Sequence, residues 1–197
     1  MYAHQSSGII LKQFHSPYKV ALIDSEIGRI DGISLKPLCV GASIGYAISR
    51  QTASHIFITN ISLSYLPFSL ARSDLLFWHH VLELCYYFVP IGNHVHHLFQ
   101  LLQFLYTVDN AVHWSMSAKK LFLLKLLSII GWNVELSPKK SAQINTLTMI
   151  PLSDVMHMML DCQDEKTIDE WLQRVVAEHP ALAKFKTLDF LVINRRT

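Results

Sequence analysis

The stretch HIFITNISLSY, His55 to Tyr65, followed by SDLLFWHHVLELCYYF, Ser73 to Phe88, decides the fold class, because the hydrophobic period changes between them. In the first, the period is two. Ile56, Ile58, Asn60 and Ser62 fall on one side, and Phe57, Thr59, Ile61, Leu63 and Tyr65 on the other. In the second, the period is 3.6, and Pro67 and Ser69 mark a hinge between the two regimes. Ser73 is the expected N-cap of that helix, with Asp74 in a first turn where the helix dipole favours an anion. Pro90–Gly92 is the expected stop. A chain that is β before this point and helical after it belongs to the α+β class.

Toward the N-terminus, four more strands are expected over Ser7–Phe14, Lys19–Asp24, Arg29–Ser34 and Ser43–Ser49. They are separated by turns at His15-Ser-Pro-Tyr18 and Ser25–Gly28, and a polar turn at Arg50–Ser54 precedes the fifth. Five short strands with regular breaks fit a small closed barrel, either OB-like or SH3-like. Gly41-Ala-Ser-Ile-Gly45 has the wrong glycine pattern for a phosphate cradle and reads as a flexible lead into a strand.

Toward the C-terminus, helices are expected over Asn93–Val108 and Ala118–Ile130, the latter capped by Ser117 and ended by a left-handed Gly131. With Leu75, Leu76, Phe77, Val81, Leu82 and Leu84, they are apolar on most faces, as helices buried in a bundle are. Ser137–Asn145 reads as a polar linker, followed by a short helix near Asp154–Leu160. Another helix is expected from the capping box Thr167-Ile-Asp-Glu170, and a last one from Pro180, with Arg195 and Arg196 at the end. The expected architecture is therefore an N-terminal five-stranded OB-like barrel (residues 1–70) followed by an all-α helical domain (71–197). Within the latter, 71–136 hold the core helices, and 137–197 the linker and C-terminal helices.

Hydrophobic residues make up 51% of the 197 and charged ones 16%, below the usual share of about 25%. So apolar a chain needs a real core and a partner surface. A spanning helix needs about 20 consecutive apolar residues. The two best runs fail: Leu98–Val108 carries Gln100 and Gln103, and Leu121–Val134 carries Lys125 and Asn133. With no signal-peptide pattern in the opening residues, the expectation is a soluble, cytoplasmic protein without membrane contact. Cys39, Cys85 and Cys162 form no CxxC pair and read as small buried hydrophobes in a reducing compartment.

Eleven histidines include His79, His80, His94, His96, His97 and His113 within 35 residues, and His79 with Glu83 are spaced i, i+4. That pair and a histidine of the next helix would be the only route to a metal site, but HExxH is absent and no metal or other cofactor is expected. GxSxG, P-loop and GxGxxG patterns are absent, and carboxylates before residue 150 are scarce, so no catalytic residue is assigned and enzyme function is not expected.

Charge is unevenly placed. Residues 1–73 hold six basic side chains (Lys12, Lys19, Arg29, Lys36, Arg50 and Arg72) against Asp24, Glu26 and Asp31, whereas residues 137–197 balance eight against eight. The basic residues of the first part are interspersed with Phe14, Tyr18, Tyr46 and Phe57. Cations for phosphates and aromatics for bases are how a barrel face holds single strands. The candidate DNA-binding residues are Lys12, Lys19, Arg29, Lys36, Arg50, Tyr18 and Tyr46.

Gly8-Ile-Ile-Leu-Lys-Gln-Phe14, a polar turn and Val20-Ala-Leu-Ile-Asp-Ser-Glu-Ile-Gly-Arg-Ile30 together resemble the opening of RecO proteins. Lys36-Pro-Leu resembles the lead into their fourth strand, and Ile56–Pro67 their fifth strand and its exit. Asp74–Leu84 and Leu121–Trp132 resemble the family's first helix after the barrel and its apolar helix before a Gly-aromatic segment. The resemblance covers residues 6–140. It implies a recombination mediator in DNA repair that binds single-stranded DNA, with RecR-like and single-strand-binding-protein-like partners. The chain is shorter than the family norm and departs from the family pattern in two places. Only Lys36 remains of the basic loop after the third strand, and Asn133–Lys139 has no cysteine where many members carry a four-cysteine zinc site, so zinc is not expected. An interaction module without DNA binding and a histidine-based metalloenzyme are the alternative readings.

Overall fold

The computed structural model describes residues 5–16, 18–52, 56–66, 68–107 and 114–187, without the side chains of residues 50, 51, 68–71 and 73. Pro67, the side chain of Ser73, the turn residues Ala53 and Ser54, the strand start at His55, His113, and Arg195–Arg196 lie outside the described residues.

Five strands form the barrel: β1 (Gln5–Gln13), β2 (Lys19–Asp24), β3 (Gly28–Ser34), β4 (Ser43–Gln51) and β5 (Ile56–Tyr65). They close in the order β1-β2-β3-β5-β4, with β4 returning to β1. Every pairing is antiparallel except β3 with β5. This connectivity is OB-like. Inward side chains Ile10, Val20, Leu22, Ile30, Ala42, Ile44, Tyr46 and Ile58 make one buried core.

The alternation expected along the fifth strand holds only to its middle. Ala47 pairs with Thr59 and Gly45 with Ser62, so β5 carries one residue more than β4 over this interval. Asn60 absorbs it with a left-handed backbone, φ 50°, as a bulge requires and as Asn tolerates better than most residues. Ile58 faces the core before the bulge, and Ile61 packs on the same core after it, although by simple counting they lie on opposite sides.

Asp24, buried at the end of β2, organises the turn into β3. Its Oδ1 accepts from the backbone N–H of Glu26 and of Ile27, both at 2.7 Å, and its Oδ2 accepts from the Tyr46 hydroxyl. Burial, and after it the bond to Asp24, raise the Tyr46 phenol above its ordinary pKa. Tyr46 is thus a fully buried core residue and not the exposed base-stacking ring its sequence position had suggested.

Helix α1 (Phe68–Phe88) breaks at Asp74, where φ is −156° and ψ 74°. Asp74 Oδ1 accepts from Phe77 N at 3.0 Å, so the cap of the long C-terminal piece is Asp74 and not Ser73. The residues just after it, Leu75 and Leu76, are 54% and 41% exposed, contrary to the expected burial, while Phe77, Trp78, Val81, Leu82, Leu84 and Cys85 are buried. Helix α2 (Leu98–Thr107) starts five residues later than expected, because residues 93–95 take no regular structure and a single turn, closed by Leu98 N donating to Val95 O and ending on a left-handed His97, leads into it. Both helices attach to the barrel at Gly41. A Cβ there would lie 2.5 Å from Trp78 Nε1, and Tyr106 donates its hydroxyl to Gly41 O at 2.8 Å while packing edge-on against Trp78. Gly41 N also donates to Ile10 O at 2.7 Å. The Gly41–Gly45 segment is therefore pinned and is not a flexible lead. The chain divides into two compact units, Met1–Val108 and Asp109–Thr197, so α1 and α2 group with the barrel and the division falls well beyond residue 70.

The second unit is helical. In α3 (Met116–Ile130) the N-cap is Ser115, whose hydroxyl accepts from Ala118 N, and Gly131 ends the helix at φ 90° as expected. Ser117, the expected cap, is buried and donates to Glu165 at 2.8 Å. Where a polar linker was expected stands α4 (Pro138–Thr148), opened by a proline and burying Ile144 and Leu147. After α5 (Leu152–Val155), α6 (Cys162–Glu178) starts at Asp161, whose side chain accepts from Asp164 N at 2.7 Å. Thr167 is consequently interior to α6, buried and donating to Gln163 O, rather than a cap. Lys120 is buried between Glu165 at 3.4 Å and Asp169 at 3.0 Å. After Pro180 the described residues contain only a 3₁₀ turn, Leu182–Lys184. Cys85 is buried, and Cys39 and Cys162 are exposed, against the expectation that all three are core residues. Among the described residues no helix is long and apolar enough to cross a membrane.

Tyr46→Phe removes a donor from a buried carboxylate and is expected to cost about 1.5–3 kcal/mol in urea unfolding. Ser115→Ala, which removes only a cap, is expected to cost about 1 kcal/mol. A Tyr46→Phe protein as stable as the wild type would show that the Asp24 bond contributes nothing.

A candidate nucleic-acid interface

Cross-strand register fixes what the barrel shows on its outside. Lys19 pairs with Ile33 and Ile33 with Phe57, while their neighbours Val20 and Ile58 point into the core. Lys19, Ile33 and Phe57 therefore form one outward row across β2, β3 and β5. Phe14 extends it, since Phe14 N donates to Lys19 O at 2.9 Å. Arg50 stands opposite Phe57 on β4, and its side chain lies outside the described residues. The next outward row is Lys12, Ala21 and Asp31, reached through a bulge between Ile10 and Lys12 that turns Lys12 outward. Tyr18, 46% exposed, sits at the rim with its carbonyl accepting from Ser34 N. Lys36, exposed, follows Leu35 at the same rim.

The cations differ in how they are held. Lys12, Lys19 and Lys36 have no carboxylate partner among the described residues. Lys12 Nζ lies 4.1 Å from the Tyr86 ring centroid, 5.6 Å from Tyr87 and 5.7 Å from Phe14, and Lys19 Nζ lies 5.4 Å from Phe14. Arg29 is different. It is buried, donates from Nη1 to the carbonyls of Tyr86 and of Val89 (2.9 Å), and is 3.5 Å from Asp31. Its sequence position suggested a phosphate contact, but the structure places it as the C-terminal anchor of α1. Of the seven candidate residues, register and rim geometry bring Lys12, Lys19, Lys36 and Tyr18 to one face.

Tyr86 and Tyr87 belong to this face and were missed from the sequence. They lie in the last turn of α1, where the run Cys85-Tyr-Tyr-Phe88 reads as helix and gives no sign that its end returns to β1. Tyr86 packs edge-on with Phe14 at 6.2 Å and with Tyr87 at 4.9 Å, and Arg29 Cζ lies 4.3 Å from its centroid. Tyr86 is half-buried; a cation over such a ring contributes about 0.5–2 kcal/mol, and a base stacked on it about 1–3 kcal/mol. The lysine contacts are thus weak enough for a nucleic acid to displace. Beside this cluster a cleft of about 190 Å³ is lined by Ile33, Leu35, Ser49, Phe57, Ile58 and Thr59.

The rings of His94, His96 and His97 stand together, His96 with His97 at 3.7 Å and His94 with His96 at 6.5 Å between centroids. His79 is exposed and His80 is buried, whereas His94, His96 and His97 occupy the exposed segment before α2. His94 faces Ser25 O at 3.4 Å and His97 faces Gln100 at 2.8 Å. Among the described residues, no group of three or more histidine, cysteine or acidic side chains is placed to hold a metal ion. No protein-family model matches the chain, and no curated protein sequence matches it either.

Arg29→Met is expected to destabilise the fold by about 2–4 kcal/mol in urea unfolding, because it orphans two helix-end carbonyls. A loss of DNA affinity at unchanged stability would contradict the anchoring role. Burial lowers the His80 imidazole from 6.5 to about 4. Between those values the unfolded chain binds a proton that the folded chain refuses. This contribution to stability is therefore complete above pH 6.5 and falls by about 3 kcal/mol in total as pH drops toward 4. The urea midpoint between pH 7 and 4.5 should decline less steeply in His80→Leu than in the wild type; parallel declines would assign the acid sensitivity elsewhere.

Proposed function

We propose that this chain is a RecO-like recombination mediator that holds single-stranded DNA on the outer face of β1, β2, β3 and β5. It would act in recombinational DNA repair with RecR-like and single-strand-binding-protein-like partners, without catalysis. The observation that carries the reading is the grouping of Lys12, Lys19 and Lys36, which have no carboxylate partner among the described residues, with the half-buried rings of Phe14 and Phe57 and the exposed Tyr18. Cations supply the sequence-independent attraction to phosphate, and rings accept any base. The order of the chain, OB-like barrel and then helices, is also the order that the resemblance to RecO proteins implies.

A second reading, a protein-docking module that has lost DNA binding, is favoured by two observations. Leu35 is 78% exposed at the mouth of the apolar cleft, and Asp31 stands in the same outward row as Lys12. An exposed leucine at an apolar cleft suits a protein partner better than a phosphate backbone.

Fluorescence anisotropy with labelled oligo-dT at two salt concentrations separates the readings. The mediator reading expects affinity to fall with salt, and Lys12→Glu and Lys19→Glu to weaken binding. Each lost phosphate contact should reduce the salt slope by about 0.7. Absence of binding at micromolar protein, or binding indifferent to salt, would remove the DNA reading and leave the docking module.

A further inference from the structure

Building on the single-strand reading above, we infer that Tyr86 is a base-stacking platform, covered by Lys12 in the free protein and uncovered when that ammonium moves to a phosphate. The ring is fixed from behind and from the side. Arg29 holds the Tyr86 carbonyl, stacks its guanidinium 4.3 Å from the ring centroid and also binds Val89 O. Phe14 and Tyr87 meet the ring edge-on. A ring held this way loses little freedom when a base lands on it, which is the condition for a useful stacking surface.

Its remaining close partner is the ammonium of Lys12, at 4.1 Å. Lys12 has three aromatic neighbours within 5.7 Å and no anion among the described residues. It is a mobile, strongly hydrated charge on a four-carbon stem, held by a contact weaker than a base stack. An arriving nucleotide offers both halves of an exchange. Its phosphate gives Lys12 an opposite charge, and its base takes the face that Lys12 leaves. Lys19 over Phe14 repeats the arrangement one strand away, so neighbouring nucleotides would meet the same chemistry in succession.

The test compares labelled oligo-dT with an abasic sugar-phosphate strand of the same length, which keeps the charge and lacks the stack. Loss of one stack corresponds to a weakening of roughly 5- to 150-fold. Tyr86→Leu should therefore weaken oligo-dT about tenfold more than it weakens the abasic strand. Tyr86→Phe, which keeps the ring, should restore most of that loss, and thermal unfolding of each variant separates a folding defect from a binding one. If Tyr86→Leu affects both strands alike, or neither, while the wild type binds oligo-dT in a salt-sensitive way, the platform is wrong and the DNA reading stands. If the wild type binds neither strand, the DNA reading fails and the platform fails with it.

Discussion

Arg29 donates from one guanidinium nitrogen to the carbonyls of Tyr86, in the last turn of α1, and of Val89, the residue just past it, and the arrangement of the first unit follows from that contact. The final carbonyls of a helix have no partner within it, and burying them unpaired is costly. Here a barrel strand supplies the missing donor. The same junction is sealed by backbone: Gly92 N donates to Arg29 O at 2.7 Å, and Arg29 N approaches Asn93 O at 3.4 Å. Gly28, at φ 89°, permits this, because a Cβ there would fall 2.1 Å from Asn93 O. The turn between β2 and β3 and the segment after α1 are thus one assembly, and Tyr86 is carried onto the outside of β1 as a result.

That assembly sorts the basic residues of the barrel into two kinds. Arg29 is consumed by structure: a planar, permanently charged group suits two fixed carbonyls. Lys12 and Lys19 rest on aromatic faces and Lys36 stands at the rim. A desolvated arginine bound to carbonyls cannot be redirected without orphaning them, whereas a lysine over a ring can move for a small loss. The proposed DNA face therefore depends on lysines for charge and on Arg29 for geometry.

The helical unit handles its polar groups differently. Lys120 is buried with Glu165 and Asp169, and Glu165 also accepts from Ser117. Lys140 and Arg174 share Glu170. Breaking such a network by removing one partner would strand a buried charge. Its members join α3 and α4 to α6 through specific pairs, and so add direction to helix packing that apolar contact alone would leave non-directional.

Much of this was legible in the sequence. The change of period after Tyr65 gave the α+β class. The start of β2, the end of β3 and the left-handed stop at Gly131 were readable because each depends on local residue chemistry. What failed were choices among equivalent local signals. Ser73 or Asp74, Ser117 or Ser115, and Thr167 or Asp161 are all acceptable caps; Asp74, Ser115 and Asp161 take the role, and Ser117 and Thr167 are buried instead. The bulge at Asn60 inverted the second half of β5, since a period-two pattern carries no mark of an added residue. Tyr46 and Arg29 looked like surface groups until long-range partners, Asp24 and the end of α1, drew them inside. By itself the sequence determined the five strands, several of the helices and where most of the charge lies, because periodicity and turn chemistry are local. Only the tertiary structure decided that Arg29 is buried and that Tyr86 stands beside Lys12, because those contacts join residues 57 or more positions apart.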